Sequence, residues 1–254
     1  MLFPGNLSSL SAPEVTPPGW LKVDFHTHTS EDPKDFLNHS AIELLHRAHA
    51  LGFHALAITL HDHVLATPEL FATARELGLL LIPAAELRLE GADVVILNIT
   101  PEEARDLRRL DDLAAFRQRR GKSALIFAPH PFFVLGGSIG KRLFDYIDVF
   151  DAIEISHFHM RGFDRNQGAV RVAGQFQKPL IATSDCHRLE NFGAHYSWVE
   201  ASQNATPEAI FDAIRGGCIR PVSPALSPVQ FVGHLWWIFV EHGMRRLRGR
   251  FGKR

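Results

Sequence analysis

Side chains able to ligate a metal recur in short clusters along this chain. They run from Asp24-Phe25-His26-Thr27-His28 through His61-Asp62-His63, Glu86, Ala128-Pro129-His130-Pro131 and Glu154-Ile155-Ser156-His157 to Ser184-Asp185-Cys186-His187. In an extended strand, residues two apart point to the same side, so His26 with His28, and Asp185 with His187, can each address one ion as a pair. A mixed set of imidazole and carboxylate donors suits zinc, manganese or iron better than calcium or a thiolate-preferring metal. Spread over about 160 positions, these clusters form one multinuclear site only if the fold draws them together.

The segments that must do this are visible. Each cluster follows an apolar run: Trp20-Leu21-Lys22-Val23, Ala55-Leu56-Ala57-Ile58-Thr59, Leu79-Leu80-Leu81-Ile82-Pro83, Ser123 to Ala128, Ala152-Ile153-Glu154-Ile155 and Pro179 to Thr183. Runs of this length read as buried parallel strands. Helical patterns separate them over Ser40–Leu51, Pro68–Leu77, Pro101–Arg120, Asn166–Phe176 and Thr206–Arg215, several opening on a Ser or Thr cap and closing before glycine. Such an α/β alternation predicts a barrel whose strands all present their carboxyl ends, and hence the clusters, on one face.

With 254 residues, 46% of them hydrophobic, the chain has the size of one α/β barrel. The boundaries read as an irregular N-terminal segment over 1–20, a catalytic-type domain over 21–225, and a C-terminal helix or tail over 226–254. A net charge of −1 gives no global reason to expect nucleic-acid binding. Two cysteines are too few for a disulfide framework, and no signal-peptide pattern opens the chain, so the expected location is cytoplasmic. The tail combines an aromatic run with a basic end. That composition suits either packing over the bottom of the barrel or a peripheral membrane or protein contact through residues 228–254.

Taken in order, these motifs resemble those of the PHP (polymerase and histidinol phosphatase) family of metal-dependent phosphoesterases, over roughly Val23 to Arg188. The resemblance implies a distorted (β/α)7 barrel, here with a C-terminal helical tail, holding two or three divalent ions (Zn, Mn or Fe). Carried over by position, His26, His28, Glu86 and Asp185 hold one ion. Glu86 bridges to a second held with His130, and His61 and His187 hold a third with Asp32. Two departures stand out. Leu60 occupies a position where the family often has an acid, and no histidine lies between Asp93 and Pro129 where relatives often supply one, so His157 is the candidate to replace it.

The implied chemistry is attack of an activated water on a phosphate ester. Arg161, Arg165 and Arg188 are the candidate phosphate contacts, and Asp62, His63 and His159 the candidates for protonating the leaving group. Glu154 is placed to hold a ligand histidine in its tautomer. His39, His46, His49, His54, His195, His234 and His242 read as structural. The first functional reading is a phosphomonoesterase (EC 3.1) acting on a small metabolite or nucleotide. Its alternatives are a phosphodiesterase or 5′ nuclease, a metal-binding scaffold without catalysis, and an amidohydrolase, which the lack of a lysine at a strand end disfavours.

Overall fold

The structure, a computed structural model, describes residues 16–133, 136–237 and 240. Nine strands form one sheet: β1 Trp20–Asp24, β2 Ala55–Ile58, β3 Leu80–Leu89, β4 Ala92–Leu97, β5 Leu125–Ala128, β6 Ala152–Ile155, β7 Leu180–Ala182, β8 Tyr196–Glu200 and β9 Ile219–Val222. Around it lie helices α1 Ala41–Ala50, α2 Pro68–Glu76, α3 Pro101–Asp106, α4 Asp112–Arg120, α5 Asn166–Phe176, α6 Pro207–Arg215 and α7 Pro228–Trp236. Four of the helices open on a capping Ser or Thr followed by proline (Thr67, Thr100, Thr206 and Ser227). The hydroxyl satisfies an orphan N–H and the proline presets the first helical φ.

The sheet order is β7-β6-β5-β4-β3-β2-β1-β8-β9. β1, β2 and β3 pair in parallel, as do β5, β6 and β7, but β4 is antiparallel to both its neighbours and β8 is antiparallel to β1 and β9. The barrel is nearly closed and distorted, as expected. The six strand runs read from sequence are all present, while β4, β8 and β9 were not anticipated. β3 and β4 form a hairpin across Glu90 and Gly91, both with positive φ. The helix expected over Pro101–Arg120 is two helices, because the Asp112 carboxylate accepts from the backbone N–H groups of Arg108 and Arg109, 2.8 and 2.7 Å away, and holds that turn out of the helix.

Side chains alternate across the strands. Ala55 and Ala57 of β2 join the interior cluster with Val23, Phe25, Ile82, Val95 and Phe127, whereas Leu56 and Ile58 face the helices with Leu44, Leu45 and Leu70. α6 closes the amino ends of the strands. Its Ile210, Phe211 and Ile214 join the interior cluster, and Arg215 bonds to the carbonyls of Lys122 and Ala124 just before β5. α7 lies at the opposite end, against the loops that follow β6 and β7: Leu226, just before it, donates its N–H to the His159 carbonyl, and Phe231 packs on Phe158 with ring centroids 4.5 Å apart. Covering of the barrel bottom therefore falls to α6, not to the C-terminal helix. Residues 238, 239 and 241–254 of the C-terminal segment and residues 1–15 of the N-terminal segment lie outside the described residues.

Between β7 and the β1/β8 pair the barrel is joined by side chains. Ser197 Oγ accepts from the Ala182 N–H (2.9 Å) and donates to the Ala182 carbonyl (2.8 Å), and the buried Asp24 carboxylate accepts from the Ser184 N–H (3.1 Å). A parallel bridge between Thr27 and Cys186 completes the seam, which brings the His26 and Asp185 clusters together. Replacing Ser197 with alanine leaves two buried backbone groups without partners. We expect Ser197→Ala to destabilise the protein by about 3 kcal/mol in urea denaturation; a loss under about 0.5 kcal/mol would show that this seam contributes little.

Candidate metal centre

The residues of the centre come from where the chain leaves the strands at their carboxyl ends. His26 and His28 follow β1, His61 follows β2, His130 follows β5, and Asp185 and His187 follow β7; Glu86 lies within β3, beside the continuation of β2, where it pairs with His61 in an isolated bridge. His130 and Asp185 have φ of 29° and 45°, in the left-handed region that costs a side-chain-bearing residue of order 1 kcal/mol or more. Both residues turn sharply off their strands.

Glu86 is the hub. Its Oε2 lies 3.5 Å from His26 Nε2, 3.4 Å from His28 Nε2 and 3.3 Å from His61 Nε2, while its Oε1 lies 3.4 Å from His130 Nε2. Asp185 Oδ1 stands 3.5 Å from His26 Nε2 and 3.4 Å from His28 Nε2. Four donors at bonds of about 2.0–2.1 Å around a tetrahedral ion would be about 3.4 Å apart, the spacing that links His26 and His28 to Glu86 and Asp185. It is too long for good hydrogen bonds, and His26 Nε2 and His28 Nε2 are buried without a hydrogen-bond partner. His26, His28 and Asp185 therefore form a donor group with the spacing and the free imidazole nitrogens that suit an ion, with Glu86 beside it.

Three overlapping groups of donors converge: His26, His28 and Asp185; His26, Glu86 and His130; and His28, His61 and His187. One imidazole nitrogen binds one ion. His26 and His28 are each shared between two of these groups, so the groups cannot be filled independently. Asp35 Oδ2, which the sequence reading passed over, is 3.1 Å from His187 Nε2.

Behind the ligands a second layer fixes their orientation. His26 Nδ1 donates to Glu154 Oε1 (2.9 Å), so its Nε2 lone pair faces the centre. Glu154 also accepts from the Thr183 hydroxyl and, at 2.6 Å, from the backbone N–H of His130. Asp32 Oδ2 faces the Nδ1 atoms of His61 (2.9 Å) and His28 (3.4 Å), the side away from Glu86. Asp32, expected as a ligand, thus stands behind the imidazoles, where its carboxylate sets their tautomers.

Burial alone pulls an imidazole pKa down and a carboxyl pKa up, but here their mutual attraction prevails. Asp185 with Glu154 and Glu86 hold His26 well above its usual value, and His130 and His187 are raised to about 9. Glu86 and Asp185 are driven well below the carboxylate range. The carboxylates create a negative potential that protons or metal cations can neutralise.

The other candidates are distributed as follows. His157 lies outside the three donor groups, with Nδ1 4.0 Å from Asp185 Oδ2, and burial lowers its pKa to about 3. The position across the β3/β4 ladder from Glu86 is Val95, fully buried in the interior cluster, so β4 offers no ligand there. Leu60 is buried in the helix-facing core and His63 is exposed. Asp62 pairs with Lys34 and accepts from the Arg88 N–H, and His159 Nε2 meets Ser223 Oγ at 3.1 Å. Arg161 and Arg165 are exposed, Arg165 over the Phe163 ring, and Arg188 pairs with Glu190. His234, read as structural, meets Asn191 at 3.2 Å, and Trp237 stacks edge-on against His187 with centroids 5.9 Å apart.

A family model, PHP_C, described as PHP-associated, matches residues 163–218, which include Asp185 and His187. Among solved structures, the chain resembles a two-domain protein containing a predicted PHP-like metal-dependent phosphoesterase from Bacteroides vulgatus (TM-score 0.59, 19% identity, 80% of this chain and 64% of that one). The two chains share a fold. PsfC from Pseudomonas syringae is similar over 91% of this chain and 99% of its own length (TM-score 0.58, 18% identity). The lesion-specific endonuclease PfuEndoQ from Pyrococcus furiosus is similar over 82% of this chain and 60% of its own (TM-score 0.59, 16% identity). This chain thus spans less than two thirds of the Bacteroides and Pyrococcus proteins. No curated protein sequence matches it.

Two outcomes follow from the centre. Glu154→Gln keeps the shape but weakens the acceptor behind His26, and should lower zinc or manganese affinity by about 10–100-fold in calorimetric titration; unchanged affinity would remove Glu154 from this role. The raised values of His130 and His187 stabilise the chelator-treated fold fully below about pH 6.5, the unfolded value, and that contribution is lost as pH rises through about 9. The melting temperature of metal-free protein should therefore fall over this window, whereas metal-loaded protein, whose ligands must be deprotonated, should gain relative stability.

Proposed function

We propose that the chain is a metal-dependent phosphoesterase that hydrolyses a phosphomonoester of a small metabolite or nucleotide. The observation that carries this reading is the Glu86 carboxylate, whose two oxygens face different sets of imidazole nitrogens and so suit two ions side by side. When bound, a pair of divalent ions lowers the pKa of a water toward about 7 and offsets phosphoryl charge. His26, His28, Asp185 and Glu86 would hold a first ion, Glu86 and His130 would contribute to a second, and His61 with His187 to a third. Glu154 and Asp32 keep the imidazoles aimed, so little reorganisation is needed as charge develops. Asp62 and His159 are engaged by other partners, and we retain His63 for protonating the leaving oxygen.

Likeness to an endonuclease favours the diesterase reading only at the level of fold. α7 at the rim, with Trp237 beside His187, and the overall charge of −1 favour a small ester over a duplex. The chelated chain should hydrolyse p-nitrophenyl phosphate only after manganese or zinc is restored, and bis(p-nitrophenyl) phosphate more slowly. His26→Ala and Asp185→Ala should abolish turnover without unfolding the protein, while exposed His46→Ala leaves the rate unchanged. Faster diester cleavage would favour the nuclease reading, and no turnover of either ester by metal-loaded protein would favour the scaffold.

A further inference from the structure

α7 has two unlike faces. Inward, Phe231 packs on Phe158 and Phe163, with centroids 4.5 and 5.3 Å away, and His234 meets Asn191. Outward, Val229, Val232 and Trp236 are 82%, 63% and 59% exposed, which makes them three of the five large hydrophobic side chains exposed among the described residues. Their spacing of i, i+3 and i+7 places them on one stripe. A helix at a water-facing surface normally carries charged residues there, yet no Asp, Glu, Lys or Arg occurs from Pro228 through Val240.

The sequence that follows has the opposite character. Residues 241–254 contain Arg245, Arg246, Arg248, Arg250, Lys253 and Arg254 against the single acid Glu241, leaving 21 of the 27 basic residues and 27 of the 28 acidic ones in the rest of the chain. An apolar stripe with a tryptophan, continued by a cluster of cations, combines the two signals that hold a protein on an anionic lipid surface: modest apolar insertion and attraction to headgroup phosphates. Tryptophan suits the boundary because its ring is apolar and its N–H polar. No described helix is long and apolar enough to span a bilayer.

We propose that the outer face of α7, together with the basic stretch 241–254, docks the protein on an anionic membrane surface. A second copy of the chain is the less suited occupant, since residues 241–254 carry six cations against one acid and offer an identical copy no complementary charge. Because the inner face of α7 rests on the loops after β6 and β7, docking turns the metal-site end of the barrel toward the lipid.

Flotation of the full chain with phosphatidylcholine vesicles, with and without about 30% phosphatidylglycerol, tests this without reference to activity. We expect binding to the anionic vesicles, little to phosphatidylcholine alone, and release in about 0.5 M NaCl. Val229→Asp with Trp236→Asp should reduce the bound fraction at least tenfold, with the melting temperature retained. Replacing Arg245, Arg246, Arg248 and Arg250 together by glutamine leaves α7 unaltered and should give a similar loss. No binding to anionic vesicles, binding that survives both sets of substitutions, or a dimer in sedimentation that the Val229→Asp, Trp236→Asp pair dissolves would each overturn the proposal.

Discussion

Glu86 is a buried carboxylate that must be surrounded by positive charge. At 2% exposure it has lost the water that would stabilise its ionised form, and Asp185, Asp32 and Glu154 crowd the same end of the barrel. Such a collection is tolerable only with cations or protonated imidazoles interleaved, and the histidines from four strand ends supply that setting. The requirement explains why Nε2 of His26 and of His28 faces the centre without a hydrogen-bond partner while the Nδ1 atoms of the same rings face Glu154 and Asp32. Satisfying both sides would consume the lone pairs that a metal needs.

Everything else at this end of the molecule serves that arrangement. The seam through Ser197, Asp24 and the Thr27–Cys186 bridge brings the first and last ligand clusters within reach of one another, although about 160 residues separate them in sequence. Left-handed backbone at His130 and Asp185 turns their side chains off the strand direction, a local strain of the kind that collects at functional sites. α6 closes the amino ends of the strands with apolar side chains, which leaves the carboxyl ends for polar chemistry and for α7.

The centre is unevenly equipped. His26, His28, Glu86 and Asp185 crowd one part of it, whereas beside His130 no donor comes from β4, where Val95 pairs with Glu86 across the ladder. A buried valine there fills the barrel interior with Phe25 and Phe127, so packing takes the position that could have supplied a ligand.

The sequence by itself determined that clusters of histidine and carboxylate donors meet at the carboxyl ends of the strands. The two-residue spacing of His26 and His28, the apolar run before each cluster and the glycine or proline after each helix are local signals, because strand alternation and helix capping act over a few residues. Tertiary structure decided which face of each imidazole a carboxylate meets. Asp32 and Glu86 both read as ligands from sequence, and only the path of the loop after β1 puts Asp32 behind His28 and His61 while Glu86 lies in front. It also decided that β4 reverses direction, that Asp35 reaches His187, and that α7 stands beside the metal centre instead of beneath the barrel. Each depends on contacts between residues far apart in the chain, set by sheet register and side-chain packing, for which no short-range pattern exists.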